Sequence, residues 1–168
     1  MRNIVLLGYM GTGKSAISKK ICEKTGMRYV STDGMIVEKE GMSINEIFEK
    51  KKEPYFRQVE KDIVRDVSEL ENVVVDAGGG VVLDKENINN LRKKSLLITL
   101  WAEPGDIHKR TKSRGHRPLL NVENPQKKIK EMIEKRKPYY EVADYHVNTS
   151  SVGVEEAAES IIKFARTR

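Results

Sequence analysis

The sequence predicts an α/β fold, a three-layer sandwich with a parallel sheet between two helical layers. Three observations predict it. Short apolar, β-rich runs alternate along the chain with stretches whose apolar residues recur at helical spacing. The best of those runs are apolar throughout, as strands buried on both faces are. The first run ends in a glycine loop, Gly8-Tyr-Met-Gly-Thr-Gly-Lys-Ser15, which leads into a helix.

Asn3 to Leu7 reads as the first strand, ended by Gly8. From Lys14 to Lys24, Ala16, Ile17, Ile21 and Cys22 form a helical inner stripe, and Gly26 is a C-terminal stop. Met27 to Thr32 is a second strand. Ser43-Ile-Asn-Glu46 is a capping box, so a helix starts near Ile44. Another runs from Tyr55 to Leu70, with Phe56, Val59, Ile63, Val64 and Val67 facing inward. Val73 to Val75 is a β-branched strand that leads into Asp76, Ala77 and a glycine triplet. A helix over Lys85 to Lys94, a strand over Leu96 to Trp101 and a short helix over Pro104 to Lys112 follow. Ser113 to Asn124 is a polar loop. Pro125 to Val142 is a basic helix that Pro138 distorts or ends. Tyr145 to Asn148 is the fifth strand, and Val154 to Arg166 a closing helix. There is no repeat, low-complexity tract or linker, so residues 1–168 read as one domain.

The chain has 168 residues, enough to bury roughly 70% of the surface that the unfolded chain exposes. No disulfide or structural metal is needed. Cys22 is the single cysteine, which fits a reducing, cytoplasmic location. The apolar run Ile4 to Leu7 is too short for a signal peptide, and no stretch approaches the ~20 apolar residues of a membrane span. The formal charge is +6, but both signs are interspersed among the 33% of residues that are charged, and aromatics make up only 6%. That favours small anionic ligands over nucleic acid or membrane partners.

The glycine loop matches G-x-x-x-x-G-K-[ST]. Its backbone N–H groups point at phosphate oxygens, Lys14 reaches the β- and γ-phosphates, and the Ser15 hydroxyl can ligate Mg²⁺. Asp33 follows the second strand, at the crevice where parallel sheets bind ligands. It can accept a hydrogen bond from an acceptor hydroxyl or act as its base, or else cap the following helix. Arg57 and Glu60 are three apart on one helix face, so they form a surface pair or orient Arg57 toward an anion. Gly78, Gly79 and Gly80 suit a place where something approaches the backbone closely. Asp76 ends an apolar strand, the position of a second-shell Mg²⁺ carboxylate in many proteins with this loop. Arg110, Arg114 and Arg117 are either a solvated basic run or the arginines of a closing lid. Arg136 precedes Pro138, where a side chain can turn inward. The three histidines lack metal-ligand spacing.

In order and spacing, G-Y-M-G-T-G-K-S, T-D at 32–33, Y-F-R-Q-V-E at 55–60, G-G-G at 78–80, R-P-L-L at 117–120 and R-K-P-Y-Y-E-V-A-D at 136–144 resemble the shikimate kinases over nearly the whole chain. The resemblance implies a nucleoside-monophosphate-kinase-like fold with strand order 2-3-1-4-5. It implies transfer of the ATP γ-phosphate to the 3-hydroxyl of shikimate, with Mg²⁺, by a monomer. Residues 11–16 (Gly11, Thr12, Gly13, Lys14, Ser15 and Ala16) would hold ATP, with Arg110 on the adenine. Lys14 and Arg117 would stabilise the transferring phosphoryl group. Asp33 would activate the attacking hydroxyl. Arg57, Arg136 and the Gly78–Gly80 backbone would hold shikimate. About 33–60 would be the shikimate-binding segment and about 113–124 the lid. The chain departs from the family pattern at two carboxylates. Ser31 stands where Asp-x-Asp is usual, and Asp76 where a small or hydroxyl residue is usual. Asp76 is therefore expected to take over the outer-sphere Mg²⁺ role. The turn after Asn148 also lacks a basic residue that many relatives carry near the adenine. The alternatives are another small-molecule kinase, acting on gluconate or a nucleotide, and a nucleotide-binding regulator without turnover.

Overall fold

The computed structural model describes residues 1–112 and 123–168. Strands β1 (Asn3–Leu7), β2 (Arg28–Ser31), β3 (Val73–Asp76), β4 (Ser95–Trp101) and β5 (Tyr145–Asn148) form one parallel, five-stranded sheet. Its order, β2-β3-β1-β4-β5, is the one that the resemblance implied. The α-helices among the described residues are α1 (Lys14–Thr25), α2 (Thr32–Glu40), α3 (Ile44–Ser68), α4 (Lys85–Arg92), α5 (Pro104–Lys112), α6 (Pro125–Tyr140) and α7 (Val154–Arg166). None of them is long and apolar enough to cross a membrane.

The two faces of the sheet follow from strand periodicity. On β1, Ile4 and Leu6 pack with Ile17 and Ile21 of α1 and with the Ala157, Ala158, Ile161 and Ile162 stripe of α7. Val5 and Leu7 pack the other way, with Phe56, Ile63 and Val64 of α3, Leu91 of α4 and Ile129 of α6. Each of these valine, leucine, isoleucine and phenylalanine side chains contributes about 1.5–3 kcal/mol by leaving water. On β3, Val74 joins the α1 face, and Val73 and Val75 the opposite one. Side chains alternate along a strand, so Asp76 returns to the α1 face.

Local signals account for the helix ends. Gly26 closes α1 by donating its N–H to the Cys22 carbonyl at 2.8 Å. The Ser43–Glu46 capping box opens α3. Within α1, Ile17 and Ile21 are buried as expected, but Ala16 is exposed and Cys22 only half-buried. The two helices expected from Ile44 and from Tyr55 are nearly continuous. They are separated only at Lys52, whose φ of 71° and ψ of 167° break the helical path just before Pro54. The basic helix ends at Tyr140 rather than Val142. Pro138 offers no N–H to the carbonyl four residues back, and the helix stops two residues later.

Candidate active site

The glycine loop joins β1 to α1. Gly13 stands at the helix start with φ of 99°, a conformation that suits glycine. The Thr12 hydroxyl donates to the Tyr9 carbonyl at 2.8 Å and closes the loop from within. Lys14 Nζ donates to the carbonyls of Gly8 at 2.7 Å and Tyr9 at 3.0 Å, which lays its ammonium across the loop. The first turn of α1 carries no acidic residue, so its N–H groups and dipole favour an anion. Arg110 of α5 joins the same end. Its guanidinium donates to the Gly11 carbonyl at 3.2 Å, the Thr149 hydroxyl at 3.0 Å and the Thr149 carbonyl at 2.9 Å. Buried Thr149 donates in turn to the Thr12 carbonyl at 2.8 Å and, through its N–H, to the Trp101 carbonyl at 2.7 Å.

Asp76, at the end of β3, meets this loop. Its Oδ2 accepts from Ser15 Oγ at 2.5 Å and from the Tyr29 hydroxyl at 2.8 Å. The second partner follows from sheet register. Tyr29 pairs with Val74 across β2 and β3, so it lies on the same α1 face as Asp76. Burial, and then the Asp76 carboxylate beside it, push the Tyr29 hydroxyl up to about 12, so it remains a donor. Ser31 is the register partner of Asp76. It, and not Asp33, caps α2, accepting from the Gly34 N–H at 3.0 Å.

No cluster of three or more His, Cys, Asp or Glu among the described residues would hold a metal by itself. The oxygens of Ser15 and Asp76 nevertheless suit a hard cation such as Mg²⁺, whose remaining ligands would be phosphate oxygens and water.

Side chains from three helices converge on the glycine triplet. A Cβ on Gly78 would stand 2.6 Å from Asp33 Oδ1, and one on Gly80 would overlap the Arg57 guanidinium. The triplet therefore gives way to the protein's own charged groups. Arg57 donates to Glu60 Oε1 at 2.8 Å and to Glu53 Oε1 at 3.4 Å. Glu60 is 2% exposed. Burial holds its carboxyl above the usual range, against the pull of Arg57 and with a further push from Asp33. Arg136 of α6 donates to the Gly79 carbonyl at 3.4 Å and lies 5.9 Å from the Tyr9 ring centroid. The Tyr140 hydroxyl donates to the same carbonyl at 2.7 Å.

One cavity of about 430 Å³ collects most of the expected residues. The loop from Met10 through Lys14, Ser15 and Ala16 forms one wall, and Asp33, Asp76, Gly78 and Gly79 another. Arg110 and Thr149 complete it. Arg57, Gly80 and Arg136 are not in that wall but touch it through the triplet. Arg114, Arg117 and most of the expected lid lie outside the described residues. Sequence reasoning missed Tyr29, Thr149 and the role of Tyr140. The period-two alternation of β2 was the available signal for Tyr29.

Comparisons with known proteins agree with this geometry. A family profile described as shikimate kinase matches residues 10–166. The chain is 45% identical to the shikimate kinase of Caldanaerobacter subterraneus subsp. tengcongensis over 163 residues, covering 97% of this chain and 95% of the relative. It is 43% identical to that of Thermodesulfovibrio yellowstonii, covering 97% and 94%. Among solved structures, Acinetobacter baumannii shikimate kinase in complex with shikimate superposes with a TM-score of 0.93 at 30% identity, covering 99% and 94%. The Aquifex aeolicus enzyme gives 0.81 at 30% identity, covering 98% and 96%. A glycine loop, a carboxylate and two arginines thus gather around the glycine triplet of a five-stranded sheet of order β2-β3-β1-β4-β5, and this chain belongs to the shikimate kinase family.

Proposed function

We propose that the two ends of the cavity divide the work of an ATP-dependent shikimate kinase, which moves the γ-phosphate of ATP to the 3-hydroxyl of shikimate. Gly11 to Ala16 bind the phosphates through backbone N–H groups, and Lys14 stabilises charge on the transferring group. Arg117 joins Lys14 in that role. Arg110 holds the nucleotide at the Thr149 side. Asp33 accepts the hydrogen bond of the attacking hydroxyl and takes its proton as the new bond to the γ-phosphorus forms and the bond to the bridging oxygen breaks, with ADP as the leaving group. Arg57 and Arg136, with the Gly78–Gly80 backbone, hold the shikimate carboxylate and ring hydroxyls. The segment about 33–60 supplies the acceptor contacts, and about 113–124 closes over them. Ser15 would ligate Mg²⁺ directly, and Asp76 would hold it through water. Bound Mg²⁺ would neutralise phosphate charge.

The observation that carries this reading is the seat of Asp33. Its carboxylate lies against Gly78 in the cavity that also holds the phosphate loop, and the Arg57 guanidinium lies against Gly80 two residues on. A hydroxylated carboxylic acid meets both a base and a cation there, within reach of a nucleotide's terminal phosphate. The test is ADP release from ATP and Mg²⁺ with and without shikimate, with gluconate and a nucleoside monophosphate as controls. Release that depends on shikimate alone is expected. Equal release with a control acceptor, or none with any, overturns the reading.

A further inference from the structure

Asp76 is a buried carboxylate, 8% exposed, and among the described residues it forms no ion pair. Both of its hydrogen bonds come from neutral hydroxyls, Ser15 and Tyr29, and both land on Oδ2. A buried anion without a cation is costly. Two donors on one oxygen fix the rotation of the carboxylate and leave Oδ1 without a hydrogen bond among the described residues. The carboxylate lines the nucleotide cavity and touches the hydroxyl that follows the loop lysine. This is the arrangement of a group awaiting positive charge from outside the protein.

Sheet register explains how the arrangement arises. Ser31 and Asp76 are paired positions on neighbouring parallel strands, at the same end and on the same face. The Ser31 hydroxyl is engaged in capping α2, so the β2 position supplies no carboxylate. Asp76 supplies one from β3, a strand that pairs directly with β1. Tyr29, two residues before Ser31 and on that same face, reaches diagonally to Asp76.

We infer that Tyr29 is a positioning residue for the metal–nucleotide complex. It acts through Asp76, so that Tyr29, Asp76 and Ser15 form one relay that orients the outer-sphere carboxylate of the cation. The inference rests on the Mg²⁺-nucleotide reading of the cavity but not on the acceptor. Its test leaves shikimate out.

The affinity of the full chain for ADP is measured by calorimetry with and without Mg²⁺, and the ratio of the two is the readout. Asp76→Asn should lower the Mg²⁺ enhancement about 10–100-fold, the range for outer-shell partners of a metal ligand. Tyr29→Phe, which removes only the hydroxyl, should lower it about 3–10-fold. The double variant should match Asp76→Asn alone, because partners in one relay are not additive. ADP affinity without Mg²⁺ should stay within about twofold in all three, a result that general loosening of the fold would not give. An unchanged enhancement in Asp76→Asn or in Tyr29→Phe overturns the inference. So does a double variant in which the two losses multiply, or a parent chain whose ADP affinity ignores Mg²⁺. If Asp76→Asn does not fold, Tyr29→Phe decides alone. Failure of the shikimate reading would appear only in the ADP-release assay.

Discussion

At the glycine-loop end of the cavity, most groups are fixed by backbone. Gly8, Tyr9, Gly11 and Thr12 offer carbonyls that hold Lys14, Arg110 and Thr149 in place. At the triplet end, charged side chains from α2, α3 and α6 converge on Gly78, Gly79 and Gly80, and the ion pair with Glu60 holds Arg57 there. A backbone-built site occupies one short contiguous stretch. A site built from side chains draws on positions spread over a hundred residues and depends on burial and charge balance. The first end should lose function when the Lys14 ammonium is removed, without any change at the glycine triplet. The second should fail when a neighbouring atom is added.

The largest effect should come from setting one end against the other. Lys14→Met should lower kcat about 10³-fold with the fold intact. Gly80→Ala adds one methyl where the Arg57 guanidinium lies and should raise the KM for shikimate about 10–100-fold. Steady-state kinetics should find the KM for ATP within twofold of the parent in Gly80→Ala. An equal rise in both KM values would mean that the ends are not separable.

A pH dependence sharpens the contrast. The groups around Glu60 are Arg57 on its own helix, Asp33 from α2 and Arg136 from α6. Because the folded carboxyl is raised above its ordinary 4.5, the folded chain holds that proton more firmly than the unfolded chain does. Stability from this group is present below that value and declines as pH rises through the folded one. Glu60→Gln cannot ionise, so thermal melts between about pH 4.5 and 7 should show the variant gaining on the parent as pH rises. A gap that is constant or shrinks would place the strain elsewhere.

The smallest effect concerns Lys52, whose φ of 71° and ψ of 167° fall where glycine is favoured. Lys52→Gly should stabilise the chain by about 1 kcal/mol in denaturant titrations. It should leave the KM for ATP unchanged. Any movement in the shikimate KM would mean that the break in α3 helps to aim Arg57.

Much of this was legible in the sequence. Strand positions and the phosphate loop declare themselves locally, because a β-branched run or a glycine pattern carries its meaning in adjacent residues. The Ser43–Glu46 capping box did the same. The glycine triplet announced a close approach but not what approaches, since Asp33 and Arg57 reach it from other helices. Tyr29 carries no local mark of its role, because its partner appears only once β2 is known to lie beside β3 in register. Thr149 sits in a polar turn with no periodicity to mark it. Tyr140 lies in R-K-P-Y-Y-E-V-A-D, but its bond to Gly79 spans 61 positions.

Carrying the carboxylate on β3 has a consequence for how long the site lasts as the molecule breathes. β2 is an outer strand with a neighbour on one side, whereas β3 is flanked by β2 and β1. Outer strands open at lower free energy than the centre of a sheet. A carboxylate at Ser31 would be lost each time the sheet edge frayed, but Asp76 departs only when the centre itself opens. Amide hydrogen exchange should therefore find Val74 and Val75 exchanging at the rate of global unfolding, with Val30 well ahead of them.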